Sequence, residues 1–179
     1  MWGVEREELF GGLAGLRRAN DGGRRAPHKP LMLLWLINRF VERGTTEVTY
    51  EELEHPVGLL IDEFGRPAKR PSRDRAAMPF VHLERSLWSP SAEGTGPIPT
   101  HFPERGSRLR AVGARGRLRP AVERLLADPV TLAEVVESLI DHHFTPALRE
   151  SLLEAAGPGL TDFETIAARV VLTARRPRD

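Results

Sequence analysis

"GGRRAPHKPLMLLWLINRF", residues 22–40, sets Arg24, Arg25, His28 and Lys29 directly against seven uninterrupted apolar residues, Leu31 to Ile37. Pro27 and Pro30 suit a helix start, Pro30 lying near the first turn where its missing N–H is harmless. Because Leu31 to Ile37 are apolar on every face, the spacing predicts a central, largely buried helix closed by Gly44. A core does not need cations at its edge, and a solvated surface does not need the leucines. A site for something both anionic and poorly hydrated calls for the two together.

Residues 5–19 read as a preceding helix. Leu9, Phe10, Leu13 and Leu16 follow helical spacing, and Glu5, Glu7 and Glu8 fall in the first turn, where the dipole favours anions. Asn20-Asp21-Gly22-Gly23 ends it. Thr45 to Val48 suit a short strand. Thr49 to Glu52 has the form of a capping box, so a third helix starts near Tyr50, with Pro56 expected to break or kink it. The order helix, helix, short strand, helix is that of a winged-helix core.

Residues 65–77 read as an exposed loop, 77–88 as a strand, and 94–102 as its hairpin partner across a long wing, "SPSAEGTG". Residues 104–119 read as a second basic, glycine-bearing loop. Pro120, Asp128-Pro129 and Thr145-Pro146 each open a C-terminal helix. Gly157-Pro158-Gly159 stops the last of these, and Thr161 to Glu164 repeats the capping-box spacing before a final helix. The expected fold class is mainly α with a small β-hairpin or wing: a winged-helix-like DNA-binding domain plus C-terminal helices. Residues 1–160 form the domain; 161–179 form a last helix and a basic tail.

Composition bounds the function. The 179 residues suffice for one hydrophobic core. There is no cysteine, which excludes disulfides and thiolate zinc sites. The longest apolar run is too short to span a bilayer and Met1 to Glu5 do not form a signal peptide, so a cytoplasmic protein without membrane contact is expected. Net charge is only +1, but its distribution is uneven. Residues 17–29, 66–75 and 105–119 carry 16 of the 26 lysines and arginines. Residues 120–164 carry two basic residues, Arg124 and Arg149, against nine acids. Three basic segments that converged in space would track phosphates; separately they would only be solvated loops.

Catalytic signatures are weak: no nucleophile elbow, P-loop or His-Glu-x-x-His occurs. Neither lysine, Lys29 or Lys69, follows a carboxylate pair as in common nucleases. Asp141-His142-His143 could offer metal ligands, but adjacent helical residues point about 100° apart. His55 and His101 stand alone and read as structural. No metal and no cofactor are expected.

"RAPHKPLMLLWLINR" (25–39) and "MPFVHLERSLW" (78–88), with "DHHFTPALRESLLEAAG" (141–157), resemble the sulfur-binding domain of phosphorothioate-dependent, type IV HNH restriction endonucleases. That resemblance implies a ligand: double-stranded DNA in which a non-bridging phosphate oxygen is replaced by sulfur. It implies a binding chain rather than an enzyme, with an HNH nuclease domain elsewhere in the full-length protein. It assigns the sulfur pocket to His28, Lys29, Met78, Pro79 and His82. Met78 stands where the family often has Tyr, and His82 where it has a small residue. Arg73 and Arg75 are the choice for reading bases. Arg17, Arg18, Arg24, Arg25, Arg108, Arg110, Arg115 and Arg117 are assigned to backbone phosphates.

Three other readings compete. A winged-helix regulator of unmodified DNA fits the element order but not the Met-Pro-Phe segment. A protein-interaction module would work through acidic helices 120–164. A metal nuclease would use Asp141, His142 and Glu137.

Overall fold

The computed structural model describes residues 2–18, 20–21, 24–67 and 74–163, with the backbone alone at 2–4, 20–21 and 24–25. Helix predominates, beside a small four-stranded antiparallel sheet. Helix α1 (Trp2–Ala14) leads to a two-residue hairpin, β1 (Asn20–Asp21) and β2 (Arg24–Arg25). Helix α2 (His28–Arg43) follows, then β3 (Val48–Thr49) and α3 (Tyr50–Phe64). Next come α4 (Ala77–His82), β4 (Trp88–Ala92), β5 (Gly96–Pro97), α5 (Gly106–Ala111) and β6 (Arg115–Leu118). Helices α6 (Pro120–Leu126), α7 (Pro129–His143) and α8 (Arg149–Ala156) complete the named elements, with a 3-10 turn at Pro146–Leu148 before α8.

Helix α2 is the central post, as its sequence requires. Leu31, Met32, Leu33, Leu34, Leu36 and Ile37 are buried, and α3, α4, α7 and α8 all pack against it. Gly44 ends it in the left-handed conformation (φ 73°), which glycine adopts without steric cost. Helix α3 starts as expected, with the Thr49 hydroxyl accepting from Glu52 N at 3.2 Å. The reciprocal half of the capping box is absent, because the Glu52 carboxylate accepts from Arg39 instead (3.1 Å). Pro56 neither breaks nor ends α3, which continues to Phe64.

Several expected boundaries differ. Helix α1 stops at Ala14 rather than 19, in a stretch weakened by Gly11, Gly12 and Gly15, and this releases Arg17 and Arg18 from helical geometry. The segment expected as a strand over 77–88 is helix α4 followed by β4. Pro79, third residue of so short a helix, forgoes no required N–H. Ala77, Phe80 and Val81 are all buried, and i, i+3, i+4 burial is a helical pattern. The long wing is a tight turn at 93–95, since Ser89 to Ala92 belong to β4. The basic "loop" 104–119 contains α5 and β6. Thr161 lies within a helical stretch already formed over 158–163, and Glu164 lies outside the described residues.

The sheet runs β3-β6-β4-β5, all neighbours antiparallel. Pro90 faces Gly116 across β4 and β6. Gly116 has to be glycine, because a Cβ there would lie 2.2 Å from the Trp88 ring. Trp88 in turn packs edge-on against Phe80 (5.4 Å), and Phe80 edge-on against Tyr50 (5.1 Å). The Trp88 indole N–H donates to Phe80 O at 2.9 Å. This aromatic chain runs from the sheet through α4 to α3 and fixes where α4 sits.

Candidate nucleic-acid interface

Contacts just before and just after helix α4 draw on the three basic segments, the second and third ahead of it and the first behind it. Just ahead of it, Asp74 accepts from Gly106 N (2.8 Å), joining the second segment to the start of α5 in the third. The buried Tyr50 phenol lies near the same junction, its pKa pushed up by burial and then by Glu54 and Asp74. Just after α4, Glu84 Oε1 accepts from Lys29 Nζ (2.7 Å) and from Arg17 N (3.0 Å), drawing in the first segment. His82, the last residue of α4, stands with Nε2 2.5 Å from Glu104 Oε1.

The contacts of Glu84 and Glu104 border an open hollow of about 730 Å³ between the start of α2 and the end of α4. Lys29, Met78 and His82 line it together, with Arg17 and Arg18 at one side. Pro79 is buried within α4 between Met78 and His82 in sequence. Four cations face the hollow, Arg17, Arg18, Lys29 and Arg85, against two carboxylates, Glu84 and Glu104. Arg85 braces the wall, donating to Leu83 O (2.9 Å) and Ile98 O (3.1 Å). Burial, with Arg119 beside it, lowers the Arg85 pKa. Lys29 is only 5% exposed. A cation in the first turn of a helix opposes the helix dipole, and Glu84 offsets that cost. The site thus combines positive charge with a thioether and an imidazole, which suits an anion with a soft, weakly hydrated atom.

The remaining sequence-assigned residues fall into groups. His28 starts α2 but lines a neighbouring cleft; Arg18 borders both. Adjacent helical positions diverge by about 100°, so His28 and Lys29 face different hollows. Arg24 and Arg25 form β2, whose side chains lie outside the description, as does Arg73 entirely. Arg75 is held by Asp62 Oδ1 (2.6 Å) and by Arg66 O (2.6 Å). Arg110 forks onto Glu54 (2.5 and 2.6 Å). Arg115 lies 3.6 Å from Glu47. Arg117 donates to Glu123 at 2.5 Å. Arg108 is exposed on α5. Among the described residues no group of three or more metal-ligating side chains is assembled, and no helix is long and apolar enough to cross a membrane.

Residues 6–161 match the family described as the ScoMcrA-like DNA sulfur-binding domain. The chain belongs to that family. The fold agrees. The sulfur-binding domain of SprMcrA, solved in complex with phosphorothioated DNA, superposes with a TM-score of 0.68 at 24% identity, covering 88% of this chain and 96% of that one. The sulfur-binding domain of ScoMcrA, also solved with phosphorothioated DNA, gives 0.67 at 26% identity over 86% of this chain and 96% of that one. The type IV phosphorothioation-dependent restriction endonuclease ScoMcrA gives 0.65 at 26% identity; 89% of this chain covers 32% of that enzyme. No curated protein sequence matches.

For this sulfur-binding domain, sequence reasoning missed Glu84, Arg85, Thr100 and Glu104 in the hollow. Lys29 and Glu84 are 55 residues apart, and His82 and Glu104 are 22 apart. No local spacing rule connects such pairs. Glu84 lies just beyond helix α4, in a segment whose sequence reads as a strand.

Proposed function

We propose that this chain binds double-stranded DNA carrying a phosphorothioate linkage and seats the sulfur in the hollow between α2 and α4. The observation that carries the proposal is the convergence of Lys29, Met78 and His82 on one hollow rimmed by Arg17 and Arg18. Family membership and the phosphorothioated-DNA complex of the ScoMcrA domain, at 26% identity, support the ligand class.

The recognition chemistry follows from the anion. Sulfur is larger, more polarisable and less strongly hydrated than oxygen, while the linkage keeps its charge. Met78, with Pro79 and His82 in the same helix, gives the sulfur a soft, largely apolar contact. Lys29, paired with Glu84, supplies charge beside it, and Arg17 and Arg18 hold flanking phosphates. An ordinary phosphate oxygen in the same place would lose water without gaining equivalent hydrogen bonds. That penalty is on the order of 1–3 kcal/mol, or about ten- to a hundredfold in affinity. His28 lines the neighbouring cleft and is left out of the sulfur contact in this reading.

Arg24, Arg25, Arg73 and Arg108 are assigned to DNA contact, Arg73 to base edges. Arg75, Arg110, Arg115 and Arg117 already hold carboxylates, so in this assignment they first order the loops that present the others. The α1, α2, β3, α3 order with the β4–β5 hairpin is read as a winged-helix variant. Residues 1–160 are the recognition domain, and 161–179 lead towards an HNH nuclease domain in a longer cytoplasmic restriction endonuclease.

The test is a polarisation titration with duplexes of one sequence, with and without the sulfur, at one stated salt concentration. Tighter binding of the sulfur duplex by about tenfold or more supports the reading. Equal binding of both makes the chain an ordinary winged-helix DNA binder. No binding to either moves the function to the acidic helices and a protein partner.

A further inference from the structure

A second cleft, of about 690 Å³, lies beside the α2–α4 hollow and shares Arg18 with it. The start of α2, the end of α3 and the end of α7 enclose it. Its charged and titratable lining consists of Arg18, Arg66, His28, His142 and His143, and among the described residues no carboxylate lines it. In a chain with 25 acids in 179 residues, that is a strong segregation of charge. Two of the three histidines are held in place by backbone carbonyls. His143 Nε2 donates to Leu13 O (2.7 Å), and His142 Nδ1 donates to Ser138 O (2.8 Å). Phe64, Phe144 and Leu148 add apolar wall between the cations.

We propose that this cleft receives the sugar–phosphate backbone next to the modified linkage, so that one strand runs from the sulfur hollow past Arg18 into it. The proposal rests on the sulfur-binding reading above. Arg18 and Arg66 suit the phosphate, the apolar walls suit the deoxyribose, and His142 and His143, each already donating to a carbonyl, shape the wall between them. Continuity through Arg18 makes the same DNA the occupant rather than a separate ligand. The cleft adds backbone affinity without adding sulfur selectivity, because its polar groups serve phosphate and phosphorothioate alike.

Thr145 gives the test. It lines the cleft, is exposed, and its side chain makes no capping bond. Thr145→Glu therefore places a carboxylate in the cleft without removing a structural contact. Val130→Glu is the control: Val130 is 63% exposed, and it lies twelve residues from His142 on α7, roughly 18 Å away along the helix. Matched sulfur and oxygen duplexes are titrated over a salt series, with melting temperatures taken for both variants. The expected result for Thr145→Glu is an affinity loss of about three- to tenfold for both duplexes. Its log–log salt slope is expected to shrink by about one, with an unchanged sulfur-to-oxygen ratio. Val130→Glu is expected to match the unaltered protein. Indistinguishable behaviour of the two variants overturns the proposal. So does a fall in the sulfur-to-oxygen ratio for Thr145→Glu, which would make the cleft part of sulfur recognition. If the unaltered protein binds neither duplex, the sulfur-binding reading itself fails and this proposal fails with it.

Discussion

Lys29 Nζ and Glu84 Oε1 lie 2.7 Å apart, joining the first turn of α2 to the residue two beyond α4. The lysine side chain is 6% exposed and the glutamate 23%, so this is a partly dry pair, not a surface one. It does two things at once: it fixes the width of the hollow, and it keeps a positive charge there that would otherwise be costly to bury.

Those two roles separate in a double variant. Lys29→Met leaves Glu84 without its counter-ion and is expected to cost about 2–4 kcal/mol of stability. Adding Glu84→Gln removes the orphaned charge and is expected to restore most of that loss. Binding is not expected to recover: the double variant remains about tenfold or more weaker for the sulfur duplex, because the rim cation is gone. Thermal melts and titrations of the single and double variants check this. A double variant that binds like the unaltered protein would reduce Lys29 to a structural role.

His82 and Glu104 set a further expectation. Nε2 is held by Glu104, so that nitrogen does not donate to a ligand oxygen. Glu104→Ala frees the ring to donate to a phosphate oxygen. The variant is expected to bind unmodified DNA about three- to tenfold more tightly while gaining less for the sulfur duplex, so that discrimination narrows. Equal gains for both duplexes would show that Glu104 acts only through its charge.

Stability in acid depends on Glu123. It accepts from Thr46 N (3.0 Å), Thr46 Oγ1 (2.5 Å) and Arg117 (2.5 Å), tying α6 to the chain ahead of β3 and to β6. Burial by itself would raise its pKa, but the bonds from Arg117 and Thr46 outweigh it and hold the carboxyl below the usual glutamate range. The sign follows from linkage. Above the ordinary glutamate pKa this contribution is fully present. As pH falls, the unfolded chain takes up its proton first, and the contribution is lost once Glu123 itself protonates in the fold. Denaturant melts from pH 7 down to pH 3 should show a smaller acid loss for Glu123→Gln than for the unaltered chain. Parallel pH profiles would contradict this.

What the sequence made legible was local. The burial of α2, the Gly44 stop, the Thr49 cap and the Asp128 cap, whose carboxylate accepts from Thr131 N at 3.1 Å, are all written in neighbouring residues. Helix α4 was not legible. "AMPFVH" has both alternation and helical spacing, and only its packing between Tyr50 and Trp88 selects helix. Lys29, Met78 and His82 were named through a family resemblance, and the structure brings those three together. The carboxylate partners of Lys29 and His82 were invisible because pairing over 55 and 22 residues is a property of the fold. The arginines were visible as charge, but not as charge already engaged: Arg75, Arg110 and Arg117 each hold an acid that lies elsewhere in the sequence.

The most direct test of the hollow as the sulfur site is the sulfur-to-oxygen affinity ratio of Met78→Gln beside that of the unaltered protein. Glutamine nearly matches methionine in shape but puts an amide where the thioether was. The expected result is a ratio lower by about tenfold, with affinity for the unmodified duplex essentially kept. An unchanged ratio, or a uniform loss for both duplexes, would contradict the placement of sulfur between α2 and α4.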